Sequence, residues 1–233
     1  MGFFALFRKK EPTDQEMRER LLIFVKERLS DRAKRIRVED AICGLSAVVG
    51  ERCIDAAGDF PLRNHELAPG SRVFSDRINA LLCGDLPDIE VDNLPRETVF
   101  GILRTRAYYE AYPPATFPTL KSVFAGYAAG IGNKGDWGKV PVTVLKDNQP
   151  WIIPLQFAYE TRDKVDAIFH GIKDDRMRCL RLSTQALGDL LNQVSGAIAP
   201  EVALRLAFEI TNGMAKTAPM TKKAFLMLQK TQA

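Results

Sequence analysis

The stretch Lys139-Val-Pro-Val-Thr-Val-Leu145-Lys-Asp-Asn-Gln-Pro150-Trp-Ile-Ile-Pro-Leu-Gln-Phe-Ala-Tyr159 decides between a purely helical chain and a mixed one. Two runs rich in β-branched and aromatic residues flank the turn Lys146–Pro150, which is the pattern of a β-hairpin. Pro141 and Pro154 lack the N–H that an inner strand donates, so both strands belong at edges and the sheet is small. Met177–Ser183 alternates apolar and charged residues and suits a third strand or a helix equally.

Outward from this stretch the periodicity is helical. Thr13-Asp-Gln-Glu16 has the form of a capping box, followed by Met17, Leu21, Phe24, Val25 and Leu29 at helical spacing. A charged hinge, Ser30–Arg37, leads to a second helix over Val38–Ala57. Its apolar stripe is Ile42, Leu45, Val49, Cys53 and Ala56, and Gly58 stops it. Further helices are expected over about 71–82, 95–112, 118–131, the run ending at His170, 184–198 and 200–213, and the last segment, 220–229, alternates lysines with apolar residues. The fold class is therefore mainly α, formally α+β: a helical body of about eight helices with a small inserted antiparallel hairpin. Residues 1–12 read as a basic-aromatic tip and 13–233 as a single α-rich domain, with a seam near 132–150 as the place where it would divide.

Composition is that of a folding chain: 46% hydrophobic and 27% charged residues. The longest apolar stretches, 41–50 and 124–132, fall well short of the ~20 residues a membrane-spanning helix needs. The first residues, MGFFALFRKKEP, place their charges after the apolar part, unlike a secretory signal. Leu6 stands where a myristoylation signal has Ser or Thr. A cytoplasmic protein is expected, with Cys43, Cys53, Cys83 and Cys179 as reduced thiols. Charge is unevenly placed. Residues 1–37 hold eleven Lys/Arg against six Asp/Glu, and 216–233 hold four lysines and no acid, so the body between is net acidic. Basic ends suit an anionic partner.

Chemistry-bearing residues are few. His65 neighbours Glu66 in a loop and His170 sits at a helix end, where surface or capping roles suffice. No Glu-x-x-His, calcium loop or G-x-S-x-G elbow occurs, so no catalytic residue, metal or cofactor is expected. Gly130-Ile-Gly132-Asn-Lys134-Gly135 has the form G-x-G-x-x-G, and its backbone N–H groups and Lys134 could cradle a phosphate. A helix precedes it and a strand is expected after it, the reverse of a dinucleotide fold, so a flexible connector is the competing reading. Phe3, Phe4 and Phe7 beside Arg8, Lys9 and Lys10 have the make-up of an interfacial anchor at an anionic membrane, or of a terminal plug on the body. Arg32, Lys34, Arg35 and Arg37 would meet an anionic partner, nucleic acid included. The aromatics Tyr108, Tyr109, Tyr112, Phe117, Phe124, Tyr127, Trp137 and Trp151 suit a core or a groove.

The expectation is a non-enzymatic binding or regulatory protein acting through protein–protein contacts, also at the inner face of the membrane. The alternatives are an enzyme or sensor of a phosphorylated small molecule at Gly130–Lys139, and nucleic-acid binding through Arg32–Arg37.

Overall fold

A computed structural model describes residues 11–59, 61–68, 70–84, 93–107, 110–130 and 138–231, the side chains of 227–231 excepted. The described chain forms α1 (Asp14–Leu29), α2 (Val38–Ala57), α3 (Asp76–Cys83), α4 (Val99–Arg106), α5 (Leu120–Ala129), α6 (Pro154–Ile168), α7 (Arg176–Val194), α8 (Pro200–Ala215) and α9 (Lys222–Thr231). The capping box at Thr13 and Glu16 is present, with both reciprocal bonds made. Among the described residues, no helix is long and apolar enough to cross a membrane.

The organising element is α2. Every residue from Asp40 to Ile54 is buried, because its small residues, Ala41, Gly44, Ser46, Ala47 and Gly50, let neighbours approach from all sides. A helix apolar on every face must sit inside the body. Around it pack α8, α7, α6, α1 and α3, while α4 lies on α7 and α5 on α8. Buried side chains form one continuous cluster running from Met17 to Met220. Phe100 and Phe208 stack within it, 4.5 Å between centroids, and Phe117 meets Phe208 edge-on at 6.0 Å.

No strand occurs among the described residues, so the expected hairpin over 139–159 is corrected. Among the described residues two isolated bridges are present, Arg72 with Thr217 and Ser195 with Ile198. The apolar alternation of 139–145 instead packs against helices: Val140 and Val144 are buried, with Val140 against Gly213 of α8. Thr143 donates its backbone N–H to the Glu209 carboxylate at 2.7 Å, so the donor a ladder would have used is satisfied by a side chain. Residues Lys146–Asn148 form a 3-10 turn. The N–H groups of Trp151 and Ile152 both donate to Asp40, at 2.6 and 3.2 Å.

Pro154 is then the first-turn proline of α6 rather than an edge-strand residue. Leu155, Ala158, Arg162 and Val165 define the buried face. That spacing shows itself only when the window is carried beyond Tyr159. Met177–Ser183 is helical as well, inside α7, with the Asp175 side chain accepting from the Arg178 N–H as N-cap. Two helices are shorter than expected. Ser71–Val73 leaves the third helix because it pairs in extended form with the chain after α8: Val73 N–H to the Lys216 carbonyl at 2.8 Å, Ala218 N–H to the Ser71 carbonyl at 2.7 Å. The helix expected over 95–112 is α4, Val99–Arg106, with Thr98 as its N-cap and Pro95 ahead of it.

Candidate functional site

The charged residues of α2 are placed in a core and must find partners there, since an unpaired buried charge is costly. Glu51 and Arg162 meet bidentately across the α2–α6 seam, Nε to Oε1 at 2.7 Å and Nη2 to Oε2 at 2.8 Å, and Nη1 donates to the Met220 carbonyl at 3.1 Å. Arg52 reaches Asp166 at 2.5 Å, and Arg63 bridges Asp166 and Asp163. Burial alone would raise the Asp166 carboxyl, but Arg52 and Arg63 outweigh it and hold the group below its ordinary pKa. This network welds α2 to α6. Its residues are mutually satisfied, which marks it as architecture rather than as a reactive centre.

His65 lies beside this seam. Burial lowers its imidazole pKa and the Arg162 charge adds to that, against opposing hydrogen bonds to the backbone of Pro219 and Leu67. His170 is exposed in a 3-10 turn. The four cysteines are all buried and free, and burial pushes each thiol above its usual value, Cys53 to about 12. Protonated thiols are poor nucleophiles.

The basic hinge has two fates. Arg32, Lys34 and Arg35 are all exposed, Arg35 being paired with Asp31 from both Nε and Nη2 at 3.0 Å. Arg37 is committed inward. Its guanidinium donates to the carbonyls of Gln149 (2.6 Å) and Asp147 (2.5 Å), pairs with Glu39 at 3.3 Å, and lies 4.4 Å from the Trp151 ring centroid. With Asp40 holding the Trp151 N–H, the loop 145–151 is fixed at both ends of its turn. It presents two large apolar side chains, Leu145 at 78% and Trp151 at 81% exposure, beside exposed Lys146 and Asp147. Arg37→Ala is expected to cost roughly 1–2 kcal/mol through lost charge-assisted hydrogen bonds, and Trp151→Ala less than about 0.5 kcal/mol. Urea unfolding of the two variants distinguishes them.

A second locus was missed in the sequence. Lys216, the C-cap of α8, is 8% exposed. Its position is set by the pairing of 216–218 with 70–73 and by Tyr127, whose hydroxyl donates to the Lys216 carbonyl at 2.7 Å. The side chain turns inward, its Nζ 4.1 Å from the Phe124 ring centroid. No carboxylate of the described residues pairs with it. Burial pushes the amine down to about 8, against small opposing pulls from Cys83 and Cys53. It borders a cavity of about 430 Å³ lined by Asp76, Asn79, Ala80, Cys83, Gly84 and Phe124. A lysine after a helix looks in sequence like an exposed cation favoured by the helix dipole. Only the opposite wall reveals otherwise.

Because the folded pKa lies below the unfolded value, the unfolded chain binds more protons between about pH 8 and 10.5. The stability attributable to Lys216 therefore rises through that window, and the cost of burying it, roughly 3 kcal/mol, is full below it. Lys216→Met is expected to be the more stable protein at pH 7, with its advantage over wild type shrinking as pH rises to 10.5. Denaturant midpoints across pH check this, and an advantage independent of pH would contradict it.

Of the other expected site residues, Gly130 ends α5 in a right-handed conformation, and a Cβ there would lie 2.1 Å from Cγ of Pro141. Its smallness admits a packed proline. Gly132, Lys134 and Gly135 lie outside the described residues, as do Phe3, Phe4, Phe7, Arg8, Lys9 and Lys10 and the aromatics Tyr108, Tyr109 and Trp137. The described residues contain no group of three or more His, Cys, Asp or Glu placed to hold a metal. No family model, curated protein or solved structure matches this chain.

Proposed function

We propose that this is a binding protein that engages another protein through the surface built by Arg37, Leu145 and Trp151. The observation that carries this reading is a tryptophan four-fifths exposed whose backbone N–H is held by Asp40 and whose ring lies under the Arg37 guanidinium. Leaving such a ring in water forgoes the free energy its burial would return. Fixing it in advance removes most of the ordering cost that a partner would otherwise face. Tryptophan and arginine side by side are the residue types on which interface energy concentrates. Exposed Lys146, and Arg32 and Lys34 on the hinge leading to Arg37, favour a partner with an apolar pocket and an acidic rim.

A photo-crosslinking amino acid at position 145, expressed in the cells of origin, tests this. A discrete protein adduct is expected. It should weaken at least tenfold with Trp151→Ala, because truncating a central aromatic anchor costs an interface about 2 kcal/mol or more. The control places the same crosslinker at exposed Phe74, away from this loop. An identical adduct from both positions, or none from 145, overturns the reading. Trp151-dependent co-sedimentation with anionic vesicles in place of a protein adduct would redirect it to a membrane surface.

A further inference from the structure

We infer that the cavity between α3, α5 and the end of α8 is a binding site for a small hydroxyl-bearing aldehyde, held covalently as an imine on Lys216. This is independent of the Arg37–Trp151 surface.

The cavity, about 430 Å³, falls in the range of small-molecule pockets. Three features select the ligand chemistry. First, the amine faces a phenyl ring instead of a carboxylate, and an ion pair that would lock it as an ammonium is missing among the described residues. Desolvation favours the neutral amine and outweighs the ring face, which attracts the ammonium, and the resulting pKa of about 8 leaves roughly a quarter of it unprotonated at pH 7.5. Second, Asn79, on the wall formed by α3, has a buried Oδ1 that accepts no hydrogen bond. An acceptor without a donor calls for a ligand O–H. Third, the nearby thiols are occupied: Cys83 Sγ points to the Asn79 carbonyl at 3.4 Å, and Cys53 Sγ to the Ile78 carbonyl at 3.9 Å. Burial keeps both protonated, so the amine is the nucleophile of the cavity. Asp76, also on the cavity wall, disfavours a simple anion as the occupant.

The chemistry balances without a further reactant. The Nζ lone pair attacks the aldehyde carbon, forming the C–N bond and a carbinolamine. The carbinolamine hydroxyl then leaves as water, carrying with it the remaining amine hydrogen, to give the imine. The ligand hydroxyl donates to Asn79 Oδ1.

The test incubates the whole protein with glycolaldehyde and cyanoborohydride, which reduces the imine to a stable amine, and maps the adducts by peptide mass spectrometry. At pH 7.5 Lys216 is expected to label at least ~10-fold faster than exposed Lys146. Its rate should level off above about pH 8. Cys53 and Cys83 are the titratable groups beside the amine, with Asp76 elsewhere on the cavity wall, and the two thiols stay protonated through this window. A Lys216 rate that tracks Lys146, or labelling only after unfolding, overturns the proposal. Formaldehyde, which lacks the hydroxyl, separates recognition from reactivity. Asn79→Leu should slow glycolaldehyde labelling of Lys216 several-fold and leave formaldehyde labelling unchanged. An equal effect on both reagents, or none on either, removes the hydroxyl recognition.

Discussion

Arg162→Met is expected to destabilise the protein by about 3–5 kcal/mol, among the largest single losses the fold admits. The substitution keeps most of the side chain's bulk but leaves the Glu51 carboxylate, itself 4% exposed, buried with neither of its two charged hydrogen bonds. The Met220 carbonyl, where α9 approaches the body, loses its donor at the same time. Most of this loss is the penalty of stranding one ion rather than the worth of the pair. The double change Glu51→Leu with Arg162→Met should therefore recover much of it. Guanidinium unfolding of wild type, the two single variants and the double variant gives the coupling directly. A single variant within about 1 kcal/mol of wild type would mean that water reaches Glu51 and that the seam is not sealed.

Gly50→Ala is the second. In an ordinary helix this change gains about 1 kcal/mol, because glycine has the greater conformational freedom to lose. Here the expected result is a loss of roughly 2–4 kcal/mol. A Cβ at position 50 would lie 2.5 Å from the Met214 Cβ, 2.8 Å from the Ala215 backbone nitrogen and 2.9 Å from the Thr211 carbonyl oxygen. These are atoms at the root of α8, not the far ends of flexible side chains, so α8 must move as a body away from α2. For a chain of this length the loss lowers the melting temperature by roughly 4–16 °C. Gly171→Ala is the control, since nothing lies within 4 Å of a Cβ there, and it should change stability by less than about 0.5 kcal/mol. If the two variants melt together, the close approach of α2 and α8 does not limit stability.

Both effects concern α2, and the sequence shows unevenly why that helix is central. Its boundaries are legible: the apolar spacing from Ile42 and the Gly58 stop both hold, with Gly58 left-handed at φ 70° as the C-cap. A single apolar stripe was expected, whereas the helix is buried all round from Asp40 to Ile54. Asp40, Glu51 and Arg52 make it look amphipathic. They are buried because Trp151, Ile152, Arg162 and Asp166 come to them from more than a hundred residues away. The candidate sites were less legible still. Of the four cations expected to meet an anionic partner, Arg37 is spent inside the protein and Arg35 is paired with Asp31 at the surface, while the exposed Trp151 stood among aromatics that suit a core or a groove.

What the amino-acid sequence determined alone is what short-range interactions govern. The capping box at Thr13, the breaks at Gly58 and Pro200, and the helical spacing of α1, α2 and α8 depend on neighbours within a few residues. A reading of periodicity and caps recovers them. Two things were decided only by tertiary structure. The stretch 139–159 alternates like a hairpin, but alternation records which side chains are buried and not where the backbone donors bond. Glu209 and Asp40 take those donors from α8 and α2, so no ladder forms. Lys216 became a buried amine for the same kind of reason: its solvation is set by Phe124 and α3, which the chain brings across from distant positions.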